Sequence, residues 1–329
     1  MKRRRFVALI GSALAVTHSV LAQQSARKYP IGALWSVLSE SGRRPYRAAL
    51  NERLAAHGFV EGKNLSIDDR IGAFGLSWDR KAVEELITGK PDALFTLTSG
   101  WTEAAQAATS SVPIVFAWVA DPVLEGIVKE YARPGGNASG VSNRFIEVAI
   151  KRLELLRDLL PGAKRVALAW PLLLRWTEAA RPRLREASER LGFELREVQA
   201  GAQDWVPAIK GAIRDGAEAV LPFTVFSWLG LRVTGEQVVR FTIEQRLPTI
   251  FAESEMVEAG GLISYGTNLL EDVRRGADML AKVLRGAKPA DIPVDQASRF
   301  ELAVNLKTAK TLGIKIPLSI LLRADRVIE

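Results

Sequence analysis

Short apolar runs alternate along the chain with longer stretches in which apolar residues recur every three or four positions. The first run, Ile31-Gly32-Ala33-Leu34-Trp35, predicts a buried strand, and Pro45 to His57 predicts a helix closed by Gly58. Leu65 to Asp68, Asp92 to Leu97 and Pro113 to Trp118 predict three more strands, with helices over Asp79 to Thr88 and Thr102 to Thr109 between them. Strands and helices alternating at this spacing predict a parallel sheet built from right-handed crossovers. The pattern pauses at Arg133-Pro134-Gly135-Gly136-Asn137-Ala138-Ser139-Gly140-Val141-Ser142, a turn followed by an extended segment and a natural exit from a first lobe.

A second alternating series follows. It comprises helices over Ile146 to Leu159, Thr177 to Leu191, Trp205 to Asp215 and Gly235 to Gln245. Its strands are Arg165 to Trp170, Glu194 to Val198, Ala219 to Phe223 and Thr249 to Ala252. The last part adds a strand at Leu262 to Gly266, a helix from Glu271 to Leu284 and a strand near Phe300 to Val304. Two series of this kind predict an α/β protein of two lobes with parallel sheets. Structure beyond the second series requires the chain to cross the junction more than once, giving a multi-strand hinge. The expected division is 28–142 with about 263–287 in lobe 1, and 143–262 with about 288–329 in lobe 2.

The residues before the first strand change the picture of where this fold works. Lys2-Arg3-Arg4-Arg5, the apolar run Phe6 to Val16 and Val20-Leu21-Ala22 have the form of a signal peptide cleaved after about Ala22. The pair Arg3-Arg4 leaves both the general secretory and the twin-arginine route open. No cysteine stands at the cleavage site, so no lipid anchor is expected there, and the expected location is the periplasm. The formal charge is +8 over 329 residues, and four of those cations sit in residues 2–5, leaving a mature chain near +4. That balance is dispersed rather than striped, which argues against nucleic-acid binding. The chain has no cysteine, so stability has to come from a hydrophobic core.

Candidate chemistry is sparse. Of two histidines, His18 leaves with the signal peptide and His57 sits at a helix C-terminus, where a cation complements the dipole. Zinc sites of usual composition and Cys–His nucleophiles are thereby excluded. No Gly-x-Gly-x-x-Gly follows the first strand, and no phosphate loop is present. No catalytic residue, metal or cofactor is therefore expected.

The loops at strand C-terminal ends, where open parallel sheets bind ligands, are more informative. Trp35 and Ser36 end the first strand. Thr98-Ser99-Gly100-Trp101 opens a helix whose hydroxyls and N–H groups suit a carboxylate. Trp118 and Trp170 lie at further strand ends, and Trp228 lies in the loop after Phe223, so a ring-stacking cleft is expected. Asp121, Glu253 and Glu255 are strand-end acids suited to a ligand amino group, and Thr224 lies in the loop after Phe223.

Several ordered motifs extend over almost the full length. They include Gly58-Phe59-Val60-Glu61-Gly62-Lys63-Asn64-Leu65, Val112-Pro113-Ile114-Val115-Phe116 and Ala120-Asp121-Pro122-Val123. The Gly-rich turn at 133–142, Lys151-Arg152-Leu153-Glu154-Leu155-Leu156 and Glu258-Ala259-Gly260-Gly261-Leu262 continue the series, and Phe300-Glu301-Leu302-Ala303-Val304-Asn305 ends it. With these motifs the chain resembles the ABC-transporter substrate-binding proteins related to tryptophan- and tyrosine-binding proteins. The resemblance implies a type I periplasmic-binding fold of two Rossmann-like lobes, and a monomer is expected. It also implies a small-molecule ligand delivered to ABC permease subunits of the inner membrane.

Trp35 and Trp101 stand where many members of that family carry small residues, and Pro171-Leu172-Leu173-Leu174 replaces an Asn/Pro-rich loop. The ligand is thus expected to be amino-acid-like or an aromatic carboxylate. A receptor subunit for a sensor kinase, and less readily a periplasmic enzyme, remain alternatives at this point.

Overall fold

The computed structural model describes residues 27–36, 40–72, 78–170, 175–200, 205–222 and 235–329. The first sheet is made by β1 (Tyr29–Trp35), β2 (Leu65–Ile71), β3 (Ala93–Leu97), β4 (Ile114–Val119), β5 (Ala138–Ser142) and the short β11 (Asp295–Gln296). Its order is β11-β5-β4-β3-β1-β2, and every pairing is parallel. Central strands covered on both faces read as unbroken apolar runs, and all five residues of β3 are buried. Helices α1 (Glu40–Ala56), α2 (Trp78–Thr88) and α3 (Ser99–Ala108) connect these strands.

The second sheet begins after α4 (Phe145–Leu159). It contains β6 (Arg165–Trp170), β7 (Glu194–Gln199) and β8 (Ala219–Pro222) in the order β7-β6-β8. A bridge between Val220 and Thr249 carries this sheet on to β9 (Ile250–Phe251). Beyond β9 lie β10 (Ile263–Thr267), β12 (Phe300–Asn305) and β13 (Arg326–Ile328). The β10–β12 pair is antiparallel. Helices α5 (Arg175–Arg190), α6 (Trp205–Arg214), α7 (Gly235–Glu244) and α8 (Ser254–Glu258) belong to this half. Helix α9 (Leu269–Leu284) returns to the first sheet, where Gly276 lets it approach Phe95 and Ala117. A Cβ at that position would lie 3.0 Å from the Phe95 ring.

Sheet membership moves two of the expected boundaries. Residues 263–267, assigned from the sequence to the first lobe, form β10 of the second sheet, because the strand finds β12 as an antiparallel partner. Residues 295–296, assigned to the second lobe, pair with β5 of the first. The chain therefore crosses between sheets three times: between β5 and α4, between β10 and α9, and between β11 and β12. Helix α1 also begins five residues earlier than expected and carries Pro45 inside it. Among the described residues, no helix is long and apolar enough to cross a membrane.

Candidate ligand-binding site

The C-terminal ends of strands from both sheets converge on one pocket with an empty volume of about 840 Å³, its open mouth included. That is the size range of small-molecule sites. From the first half come Tyr46 of α1 and Trp118 at the end of β4, and from the second half Phe145 and Val148 of α4 with Glu253 and Glu255. The crossing between β10 and α9 contributes Thr267 and Asn268. Among the described residues, two glutamates and three aromatic rings line this pocket, and no lysine or arginine does.

Trp118 is delivered by an irregular backbone. The β4–β5 register shifts between Phe116 and Val119, and Trp118 has φ of +60° in the left-handed region. A bulge re-aims side chains at strand ends, and a bulky residue held there is a strained conformation typical of functional sites. The strain turns the indole out of the sheet and into the pocket, where it meets Phe145 edge-on at 6.0 Å. On the opposite wall Gly266 in β10 is demanded by close backbone approach, since a Cβ there would lie 1.9 Å from the Ala252 carbonyl oxygen.

Other tryptophans expected in the cleft are elsewhere. Trp35 is fully buried and its Nε1 donates to Asp69 Oδ1 at 2.7 Å, tying the end of β1 to β2. Arg43 and Arg47 pair with the same carboxylate. Trp101 is buried among Leu34, Leu94 and Phe116 on the far side of the first sheet. Trp170 is buried with the Arg181 guanidinium 5.2 Å from its ring centre. Each ends a strand or opens a helix while still covered by neighbouring layers. Among the described residues, only Trp118 of the tryptophans named above lines the pocket.

The hydroxyl loop of the first half is knit to itself. Ser36 Oγ and Thr98 Oγ1 lie 2.7 Å apart, Ser36 Oγ also donates to the Leu97 carbonyl, and Thr98 has φ of +83°. Ser99 is buried and Gly100 exposed. Glu125 accepts from the Asp121 N–H, and burial raises its carboxyl to about 7. Asp121, expected to meet a ligand amine, instead accepts from the Leu124 N–H and the Tyr131 hydroxyl and faces Arg183 of α5 at 3.8 Å. Burial and that acid raise the Tyr131 phenol.

Of the candidates named from the sequence, Trp118, Glu253 and Glu255 are the described residues that line this pocket, and Trp228 lies outside the described residues. Thr224 lies outside the described residues. Tyr46 and Phe145 were missing from the expected set. Trp118 was visible as a strand-end tryptophan, whereas Tyr46 and Phe145 carry no signal beyond helical spacing.

The residues 33–328 match the family model described as ABC transporter substrate binding protein. A tyrosine-binding protein of Clostridioides difficile is 25% identical over 260 residues, covering 78% of this chain and 73% of that protein. A conserved domain protein of Vibrio cholerae superposes with a TM-score of 0.81 at 24% identity, covering 92% of this chain and 100% of the other. A Streptococcus pneumoniae ABC domain in complex with L-Trp superposes at 0.79 with 23% identity over the same shares. The architecture is the type I periplasmic-binding fold. With nearly its whole described length matched, the chain belongs to the ABC transporter substrate-binding protein family.

Proposed function

We propose that the chain is an exported periplasmic receptor that encloses an amino acid between its two lobes and presents it to an ABC permease of the inner membrane. The carrying observation is the pocket's lining: Trp118, Tyr46 and Phe145 with the two carboxylates Glu253 and Glu255. A carboxylate wall favours a ligand that brings a protonated amine, and aromatic rings favour an apolar or aromatic side chain and also attract the ammonium. This lining favours an amino acid over an aromatic carboxylate without an amine. The tyrosine- and tryptophan-binding descriptions of two similar proteins agree with that chemistry. The ligand stabilises the closed arrangement by touching both halves at once. No reaction on the ligand is required, and a monomer suffices.

Thermal shift of the mature protein against L-tyrosine, L-tryptophan and their analogues lacking the amine tests this. A true ligand at 100 times its Kd adds about 2.7 kcal/mol of stability. Mass spectrometry should recover it unchanged. Stabilisation by the amine-free analogues alone, or turnover of a bound amino acid, overturns the proposal.

A further inference from the structure

One amide in the pocket wall has its donor end unclaimed. Asn143 stands at the crossing between β5 and α4, lines the pocket and is only 2% exposed. Its own N–H donates to the Val119 carbonyl at 3.0 Å, which pins it to the end of β4 beside Trp118. Its Oδ1 accepts from the Phe145 N–H at 3.1 Å, at the start of α4. That bond fixes which end of the amide is oxygen, because the reversed amide would set NH2 against N–H. The Nδ2 group is left, and among the described residues it has no hydrogen-bond partner. A side-chain donor placed this deeply ordinarily has an acceptor, and the pocket is the space it borders.

The chemistry of the lining says which acceptor. An amino acid brings an ammonium, which only donates, and a carboxylate, which only accepts. The Asn143 nitrogen only donates, so the carboxylate is its complement, while Glu253 and Glu255 carry the carboxylate's own charge and cannot hold it. Asn268 is exposed, with its side-chain oxygen bonded to the Glu271 N–H. Ser254 and Thr267 are half-buried hydroxyls that serve either kind of partner. Helix α4 begins two residues beyond Asn143, runs for 15 residues, and its N-cap residue Arg144 makes no side-chain capping bond. The partial positive charge of that end favours an anion beside it. Arg144 does not line the pocket; its guanidinium carbon lies over the Phe300 ring, 5.9 Å from the ring centre.

We infer that Asn143 is the carboxylate-reading residue of the pocket: its Nδ2 donates to the ligand's carboxylate at the N-terminal end of α4. This rests on the amino-acid reading above. The amide is held by β4 through its backbone and by α4 through its oxygen, so the donor is set in place before the ligand arrives. The protein's preference for an amino acid over the same molecule without its carboxylate therefore depends on Asn143.

The experiment compares wild type with Asn143→Asp, which keeps the size of the side chain and the acceptor for the Phe145 N–H but puts a carboxylate oxygen where Nδ2 stands. Its readout is the ratio of affinities, by calorimetry on the mature protein at pH 8, for L-tyrosine against tyramine and for L-tryptophan against tryptamine. The wild type should prefer the amino acids, and Asn143→Asp should cut that preference by at least about thirtyfold without weakening the two amines. Should Asn143→Asp fail to fold, Asn143→Ser is measured instead. Its shorter hydroxyl should lower the preference by about tenfold, and an unchanged preference overturns the inference. Equal loss for both members of each pair overturns it too, since the asparagine would then only shape the wall. Tighter binding of the amino acids by Asn143→Asp does so as well, making residue 143 a reader of the amine. A wild type that binds amino acid and amine alike shows that nothing reads the carboxylate. Preference of the wild type for 3-(4-hydroxyphenyl)propionate over L-tyrosine, or binding of neither amino acid, would instead sink the amino-acid reading, so the two failures are distinguishable.

Discussion

Replacing Arg152 with methionine keeps a long unbranched side chain in the apolar interior of the second half and removes a buried charge. Burial pulls the guanidinium down to about 9, because the charged form has lost its water. At about 1.4 kcal/mol per pH unit, a fall of that order burdens the folded state by roughly 5 kcal/mol. The bond to the Pro222 carbonyl returns about 1.5–3 kcal/mol, and the stacking on Phe145 about 1 kcal/mol. The balance favours methionine by about 1–2.5 kcal/mol, or a rise in Tm of roughly 3–8 °C for a unit of this size.

The sign of the pH dependence gives a second check. Above about 9 the folded protein releases the arginine proton while the unfolded chain keeps it, so the wild type gains stability as pH rises and the methionine advantage shrinks. Thermal denaturation at pH 7 and pH 10 measures both quantities. A Tm for Arg152→Met more than 3 °C below wild type at pH 7, or a difference unchanged at pH 10, refutes the argument that charge desolvation dominates this site.

Trp118→Ala should weaken amino-acid binding by about 1–3 kcal/mol, because its ring is the aromatic surface the first sheet supplies to the pocket; calorimetry reads this, and an unchanged Kd refutes it. Gly266→Ala forces a Cβ to 1.9 Å from the Ala252 carbonyl oxygen, where only backbone can yield, and should cost at least about 2 kcal/mol of stability in a urea melt. Burial also raises Asp272, in the first turn of α9, to about 7. The unfolded chain ionises it near 4, so stability should fall as pH rises between those values, and Asp272→Asn should flatten that part of a Tm profile taken from pH 4.5 to 7. Arg183→Ala removes the pair with Asp121 between the two halves and should weaken ligand affinity by at most about fivefold, the scale of a solvent-exposed ion pair.

Much of the fold was legible because parallel strands covered on both faces leave continuous apolar runs; Arg165 to Trp170 and the helix before it were readable almost to the residue. What escaped were features set by partners distant in sequence. The side on which Ile263–Thr267 pairs is decided by β12, nearly forty residues later, and two-residue β11 has no periodicity to read. The site was less legible for a similar reason. Trp35 and Trp170 are the final residues of their strands and remain under the adjacent layers, whereas Trp118 is turned out by a register shift and a left-handed backbone that residue type does not encode. Glu253, the first group past a strand and its short extension, was readable from position alone. Arg152 was readable too, as a cation on the apolar stripe shared with Phe145, Ala149 and Leu156, although the motif containing it pointed only to family membership.

The three crossings have a consequence for how the chain is made. The first sheet lacks its covering helix α9 and its edge strand β11 until residues 269–296 exist, and the second lacks β12 and β13 until the last thirty. Neither half is a contiguous stretch of sequence, so neither can finish folding while the ribosome is still at work on the other. A nascent chain with this wiring stays open almost to its last residues, which is the form a channel that threads polypeptide through a membrane accepts.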